Sequence, residues 1–227
     1  MSTGRGAVHD LWEATHRARQ DLVDDLSGLG EEDWRRPTLC GAWDVEHVVA
    51  HLTAAASTGT LAWVRSIVLA GFRPAVHNER RLREHLGPTT QDTLDRFRAV
   101  VSATVAPTSD LAAYLGEVVV HGEDIRHPLG IAGPDVVESA TAVAEFYARR
   151  DFTVESRTTA AGVRLRATDG PFRAGSGPEV AGPTLALVMV MAGRSSHLGQ
   201  LTGDGVAVLA SRLTRVREHG GCRPPHG

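Results

Sequence analysis

Lysine is absent from this 227-residue chain, and all 24 of its basic residues are arginine. That absence excludes Schiff-base lysines, the phosphate-binding lysine of a P-loop and any cofactor anchored through a lysine amine. Cysteine is scarce. Cys40 and Cys222 are too few for a disulfide scaffold and lack CxxC spacing, which fits a reduced, cytoplasmic setting. Long apolar runs are missing too: the longest, Leu185 to Ala192, is too short to cross a bilayer, and Met1 to Asp10 holds no signal-peptide core. With 27 acidic residues against 24 basic ones, the net charge of -3 gives no field to hold nucleic acid or a membrane surface. HExxH, GxSxG, GxGxxG and Walker motifs are all lacking, which removes the usual metalloprotease, serine hydrolase, dinucleotide and nucleotide readings.

What remains is a globular composition, 42% hydrophobic and 22% charged, with a surplus of histidine, eleven in all. Apolar positions from Leu11 to Leu26 recur at helical spacing, predicting a helix over about 8–29 that Gly28 and Gly30 end. After a linker over 31–43, Asp44 reads as the N-cap of a second helix running to about Leu69. A third helix is expected over 90–106 and a fourth from Leu111 to about Ile125, stopped by Pro128 and Gly130. Together they predict an antiparallel four-helix bundle. A further helix over 134–150 leads away from it, after which alternation predicts strands at 152–157, 163–167 and 172–174, then helices at 184–192 and 206–217. The fold expected is mainly α with a small α+β domain: a bundle over 1–150, the small domain over 151–213 and a disordered tail over 214–227.

Glu117 and His121 stand four residues apart in the fourth helix, so both project from one face, with Asp124 on the same side. Such a pair serves a solvated surface or a cap as readily as a metal. His51 lies in the apolar run Val48-Val49-Ala50-His51-Leu52, where an imidazole is expensive without a partner. Inward-facing histidine and glutamate from different helices hold metals in bundle interiors. His51, Glu117 and His121 therefore make a three-ligand candidate of the kind that binds catalytic zinc, and the alternative is a core histidine bonded to a backbone carbonyl. Asp124 is placed to accept a proton from a ligating imidazole. His47, one turn before His51, is either a substitute ligand or a neighbour of one.

The run Trp34-Arg-Arg-Pro37-Thr-Leu-Cys-Gly41-Ala-Trp43-Asp-Val-Glu-His-Val-Val-Ala-His51-Leu52 resembles the amino-terminal segment of the mycothiol-dependent maleylpyruvate isomerase family, within the DinB-like bundles. Glu117-Val-Val-Val-His121-Gly-Glu-Asp124-Ile-Arg126 resembles its second metal motif, and 163–194 is similar to its small carboxy-terminal domain of sterol-carrier type. The resemblance implies that His51, Glu117 and His121 bind a divalent metal, Zn2+ before others. It also implies mycothiol, a low-molecular-mass thiol of actinobacteria, as cosubstrate, and a small electrophile that is isomerised or S-conjugated. Arg194 matches the family's Gly-Arg and is a candidate clamp for a substrate carboxylate, against a plain helix-end role. Arg126 is expected to orient Glu117 or Asp124 or to form a surface salt bridge, Trp43 to pack, and Cys40 to act as a small buried hydrophobe. His9, His16, His77, His85, His127 and His197 are read as surface or loop residues, and His219 and His226 as tail. The protein is expected to be cytoplasmic, a monomer or homodimer, with no nucleic acid or membrane partner. A non-catalytic binding protein of the same fold is the alternative.

Overall fold

A computed structural model describes residues 3–41, 43–59 and 82–220, with side chains over 6–41, 43–59 and 82–214. Helix α1, Thr3–Ser27, turns Thr15, Arg19, Leu22 and Leu26 inward on one stripe. Within the expected linker lies a single turn, α2, Glu31–Trp34, that buries Trp34. Asp44 caps α3, Val45–Ser57, by accepting the His47 N–H at 2.9 Å, as its position implied. The end expected near Leu69 lies outside the described residues. Next come α4, Thr90–Arg98, and α5, Leu111–Leu129.

These helices close into a ring of contacts: α1 packs on α5, α5 on α3, α3 on α4, and α4 back on α1. Leu22, Leu26, Val48, Leu52, Phe97 and Ile125 fill the interior. Each such side chain contributes on the order of 1.5–3 kcal/mol when fully buried. The buried Glu46 carboxylate ties α3 to α4, accepting from Arg35 at 2.5 Å and from the Thr93 hydroxyl at 2.8 Å.

Helix α4 is shorter than its pattern predicts, and the reason lies in α1. Beyond Arg98 the chain proceeds by turns, and the carbonyls of Val100, Val101 and Ala103 accept from the buried Arg19 guanidinium at 3.0, 3.1 and 2.9 Å. Tyr114 on α5 takes its other terminal nitrogen. A charged donor that offers several bonds outcompetes a last helical turn. Helix α5 is longer than expected and runs through Pro128 until Gly130, at φ 70°, ends it in the left-handed region.

The chain divides between Pro134 and Asp135 into two compact units, earlier than the change of sequence character after Asp151 suggests. Helix α6, Val137–Arg149, accounts for this by packing on α8, Thr184–Met191, a helix of the second unit that is apolar from Leu185 onward. The strand expected at 152–157 does not form. Instead the Ser156 hydroxyl donates to the Tyr147 carbonyl at 3.1 Å and the Asp151 carboxylate accepts from Thr158, folding 156–160 into the short helix α7, Ser156–Ala160.

Strands β1, Arg164–Ala167, and β2, Arg173–Gly175, follow the expected positions and pair antiparallel. A third strand, β3, Glu179–Gly182, pairs parallel to β1 on its other side, giving the order β2-β1-β3. Flanking Pro178 and Pro183 disguise it as a loop in the sequence. Leu165, Ala167 and Val180 face the interior beneath α8. Past a 3-10 segment, Ser195–Gln200, helix α9, Val206–Gly220, runs slightly beyond its expected end at 217, so that 214–220 is helical and not the disordered tail expected there. Residues 221–227 of the expected tail lie outside the described residues. Among the described residues no helix is long and apolar enough to cross a membrane.

Candidate metal centre

Capping fixes the start of α3 and so fixes the heading of His51, two turns in. His47, the nearer histidine, is engaged elsewhere: its Nδ1 meets the Asp44 carboxylate at 2.5 Å, and it does not join the cluster around His51. Burial pushes the Asp44 carboxyl up, but the bonds from His47 outweigh it and hold the group below its ordinary range. On α5, Glu117 and His121 present from one face toward α3, as their spacing implies.

Three donor atoms converge. His51 Nε2 lies 3.6 Å from Glu117 Oε2, and His121 Nε2 lies 3.5 Å from the same oxygen. All three ligand atoms sit within 4.8 Å of one another. Donors held about 2.0–2.2 Å from a tetrahedral ion stand roughly 3.3–3.6 Å apart. The two separations match that spacing and exceed a good hydrogen bond. The residues present therefore fit a divalent ion. Side-chain exposures of 16% for His51, 23% for Glu117 and 10% for His121 make the cluster mostly but not fully buried.

Electrostatics favours the same arrangement. Burial pushes Glu117 up, yet the His121 and His51 imidazoles beside it hold the carboxyl well below its usual range. Burial pushes His51 down, only partly opposed by Glu117, so it stays neutral near pH 7. His121 goes the other way. Burial works against its charge, but Asp124 and Glu117 push its pKa up to about 9. The Asp124 carboxylate, fully buried, accepts from His121 Nδ1 at 2.9 Å, which leaves Nε2 facing Glu117.

Other expectations meet a different outcome. Arg126 reaches neither Glu117 nor Asp124 and is not on the surface; it is buried and paired with Asp25 of α1 at 2.6 Å. A side chain on Gly122 would strike its guanidinium at 2.9 Å, so that glycine makes room for the pair. His197 is buried, with Nδ1 3.1 Å from the Ser196 hydroxyl, and is not a surface residue. His16 is half-buried against Trp12 and meets the Ala103 carbonyl at 3.3 Å. His127 and His9 are exposed as expected, and His77, His219 and His226 lie where no side chain is described.

Arg194 follows Gly193, at φ 92°, in the second unit. Its N–H returns to the Met189 carbonyl at 2.9 Å, and its guanidinium donates to the Ala192 carbonyl at 2.6 Å.

Two neighbours of the centre were not assigned to it from sequence. The Trp43 ring lies 5.0 Å from that of His51 and 6.4 Å from that of His121. Cys40 is buried as expected, with its sulfur among the ligand atoms of His121 and Asp124, all within 4.8 Å of one another. Nothing in their spacing marks them, because a loop brings them there.

Bundle and cluster together define a helical-bundle protein with a candidate divalent-metal centre between two of its helices. Residues 15–126, just under half of the chain, match the family model described as the mycothiol maleylpyruvate isomerase N-terminal domain, the family that the motifs around His51 and His121 resemble. A crystal structure of the mycothiol-dependent maleylpyruvate isomerase shares the fold at 17% identity and a TM-score of 0.59, over 87% of this chain and 92% of that one. A mutant of that enzyme matches over the same shares at 16% identity and a TM-score of 0.59. No curated protein sequence matches.

Proposed function

We propose that the chain is a zinc-dependent enzyme that uses mycothiol to isomerise a small electrophile, by addition and expulsion of the thiol, or to S-conjugate it by addition alone. The observation that supports it is the convergence of His51 Nε2, Glu117 Oε2 and His121 Nε2 at ligand spacing in a cluster that is not fully buried. Two imidazoles and one carboxylate are a donor set of catalytic zinc, with a further position left for a ligand. Bound there, the ion supplies Lewis acidity that keeps a thiol in its nucleophilic, deprotonated form at neutral pH.

The chain's own residues prepare that position. Glu117 is ionised and His51 neutral before anything binds, so both are ready as donors. Asp124 fixes the His121 tautomer and raises its basicity. Arg194 is the proposed clamp for a substrate carboxylate, a role that falls to arginine or to the ion because the chain has no lysine. The setting is the reducing cytoplasm, where a low-molecular-mass thiol persists.

Metal analysis of the purified protein and of His121→Ala, followed by calorimetric titration of the zinc form with mycothiol, tests the reading. Wild type is expected to hold about one equivalent of zinc and the variant to lose it. Absence of stoichiometric metal in wild type at neutral pH overturns the proposal. Zinc without thiol binding overturns its thiol half and leaves the centre standing. For Arg194, substitution by alanine is expected to raise KM with zinc content unchanged.

A further inference from the structure

A helical amide at position i donates to the carbonyl at i−4, and Pro128, in the last turn of α5, has no amide hydrogen to give. The Asp124 carbonyl thus lacks its i+4 donor, and Leu39, from the segment between α2 and α3, donates its N–H there at 3.1 Å. A second tie runs from Arg36 Nη2 to the carbonyl of Pro128 itself at 2.7 Å. The 36–44 segment is therefore fastened at two points to the end of the helix that carries Glu117 and His121.

It is also closed on itself. Thr38 holds the Trp43 carbonyl twice, through its N–H at 3.1 Å and its hydroxyl at 2.8 Å. Trp43 N–H returns to the Cys40 carbonyl at 3.3 Å, Pro37 and Asp44 pair as an isolated antiparallel bridge, and Gly41 makes the reversal at φ 64°. What this closed loop presents is the Trp43 indole, 5.0 Å from the His51 ring, which stands 5.2 Å from that of His121. Asp124 therefore acts toward both histidines. Its carboxylate holds His121 Nδ1 at 2.9 Å, and its carbonyl anchors the loop whose indole packs on His51.

We infer that Trp43 is a positioning residue of the His51–Glu117–His121 centre, and that Pro128 latches it there by surrendering the Asp124 carbonyl to Leu39. An imidazole on a single methylene turns freely about two bonds, and an indole packed on it restricts that turning and keeps Nε2 toward Glu117. The consequence for metal rests on the proposed metal centre. The latch itself belongs to the metal-free fold and is measured there.

The test compares wild type, Trp43→Phe, Trp43→Ala and Pro128→Ala. In metal-free protein the indole ring current displaces the His51 imidazole proton resonances. Trp43→Ala is expected to abolish that displacement, Trp43→Phe to keep part of it, and Pro128→Ala to reduce it while speeding Leu39 amide exchange roughly fivefold, the weight of one backbone hydrogen bond. Cobalt affinity should fall about tenfold in Trp43→Ala and Pro128→Ala and largely recover in Trp43→Phe, the size of effect expected of outer-layer partners. Unmoved His51 resonances in Trp43→Ala, or in Trp43→Phe should the alanine variant fail to fold, overturn the positioning role. Unchanged Leu39 exchange in Pro128→Ala overturns the latch. If wild type binds no cobalt, the metal centre falls, and the resonance and exchange measurements still decide the positioning role and the latch.

Discussion

Replacing Asp124 by asparagine tests the centre through its protons. In the metal-free chain Glu117 is already ionised and His51 already neutral, so of the three candidate ligands only His121 must lose a proton for an ion to bind. With His121 at about 9, proton competition at pH 7 spans two pH units and weakens apparent affinity by ~100-fold relative to pH above 9. The logarithm of wild-type affinity should then rise with a slope near one up to about pH 9, and calorimetry in buffers of different ionisation enthalpy should count about one proton released.

Asparagine keeps an acceptor for Nδ1–H and removes the charge. Burial then pulls His121 back toward its ordinary 6.5, and the pH dependence should flatten above about 7. Lost ligand basicity weakens binding 10–100-fold, the typical size of such outer-layer effects. At pH 9 the variant should show nearly that whole loss, while near pH 6.5 relief from proton competition, about 100-fold or more, offsets all of it. Affinity is read by competition with a chromophoric chelator from pH 6 to pH 10. Two parallel profiles with a constant offset would refute the reasoning, because they would mean that Asp124 does not set the proton that metal displaces.

Metal-free stability should depend on pH in a direction fixed by the same groups. His121, raised from 6.5 to about 9, contributes fully below pH 6.5 and loses about 3 kcal/mol as pH rises through 9. Glu117, held low, contributes above pH 4.5 and loses its share on acidification; urea titrations showing no loss between pH 6.5 and 9 would contradict this. Arg19→Met removes the donor shared by the Val100, Val101 and Ala103 carbonyls and the Tyr114 hydroxyl, and should cost about 3 kcal/mol in denaturant unfolding, with a loss below about 1 kcal/mol counting against it. Gly175→Ala places a methyl 2.2 Å from the Val163 carbonyl at φ 75°, and should lower the melting temperature of the second unit by the equivalent of about 2 kcal/mol while cobalt affinity stays at the wild-type value.

Much of the bundle and the three side chains of the cluster were legible in the chain. Apolar positions at helical spacing, the Asp44 cap and the Glu117–His121 interval each follow from local geometry, and such signals survive without tertiary context. The misreadings have a common origin. Helix α4 stops early because a side chain 81 residues away takes its carbonyls, and β3 exists because β1 lies beside it. Arg126 reads as an orienter of Glu117 or Asp124 or as a surface salt bridge until Asp25 of another helix is seen against it.

By itself the sequence determined which residues share a helix face, and hence that one glutamate and one histidine would point together, because backbone periodicity is written in neighbours. It also determined, through the missing lysine, that arginine is the side chain left to hold an anion by a permanent charge. Only the tertiary structure decided that His51 and not His47 completes the triad, that Asp124 turns to His121, and that Trp43 is carried onto His51. Those outcomes depend on hydrogen bonds between segments far apart in the chain, such as Leu39 to Asp124, and no local pattern encodes where a freed carbonyl finds its donor.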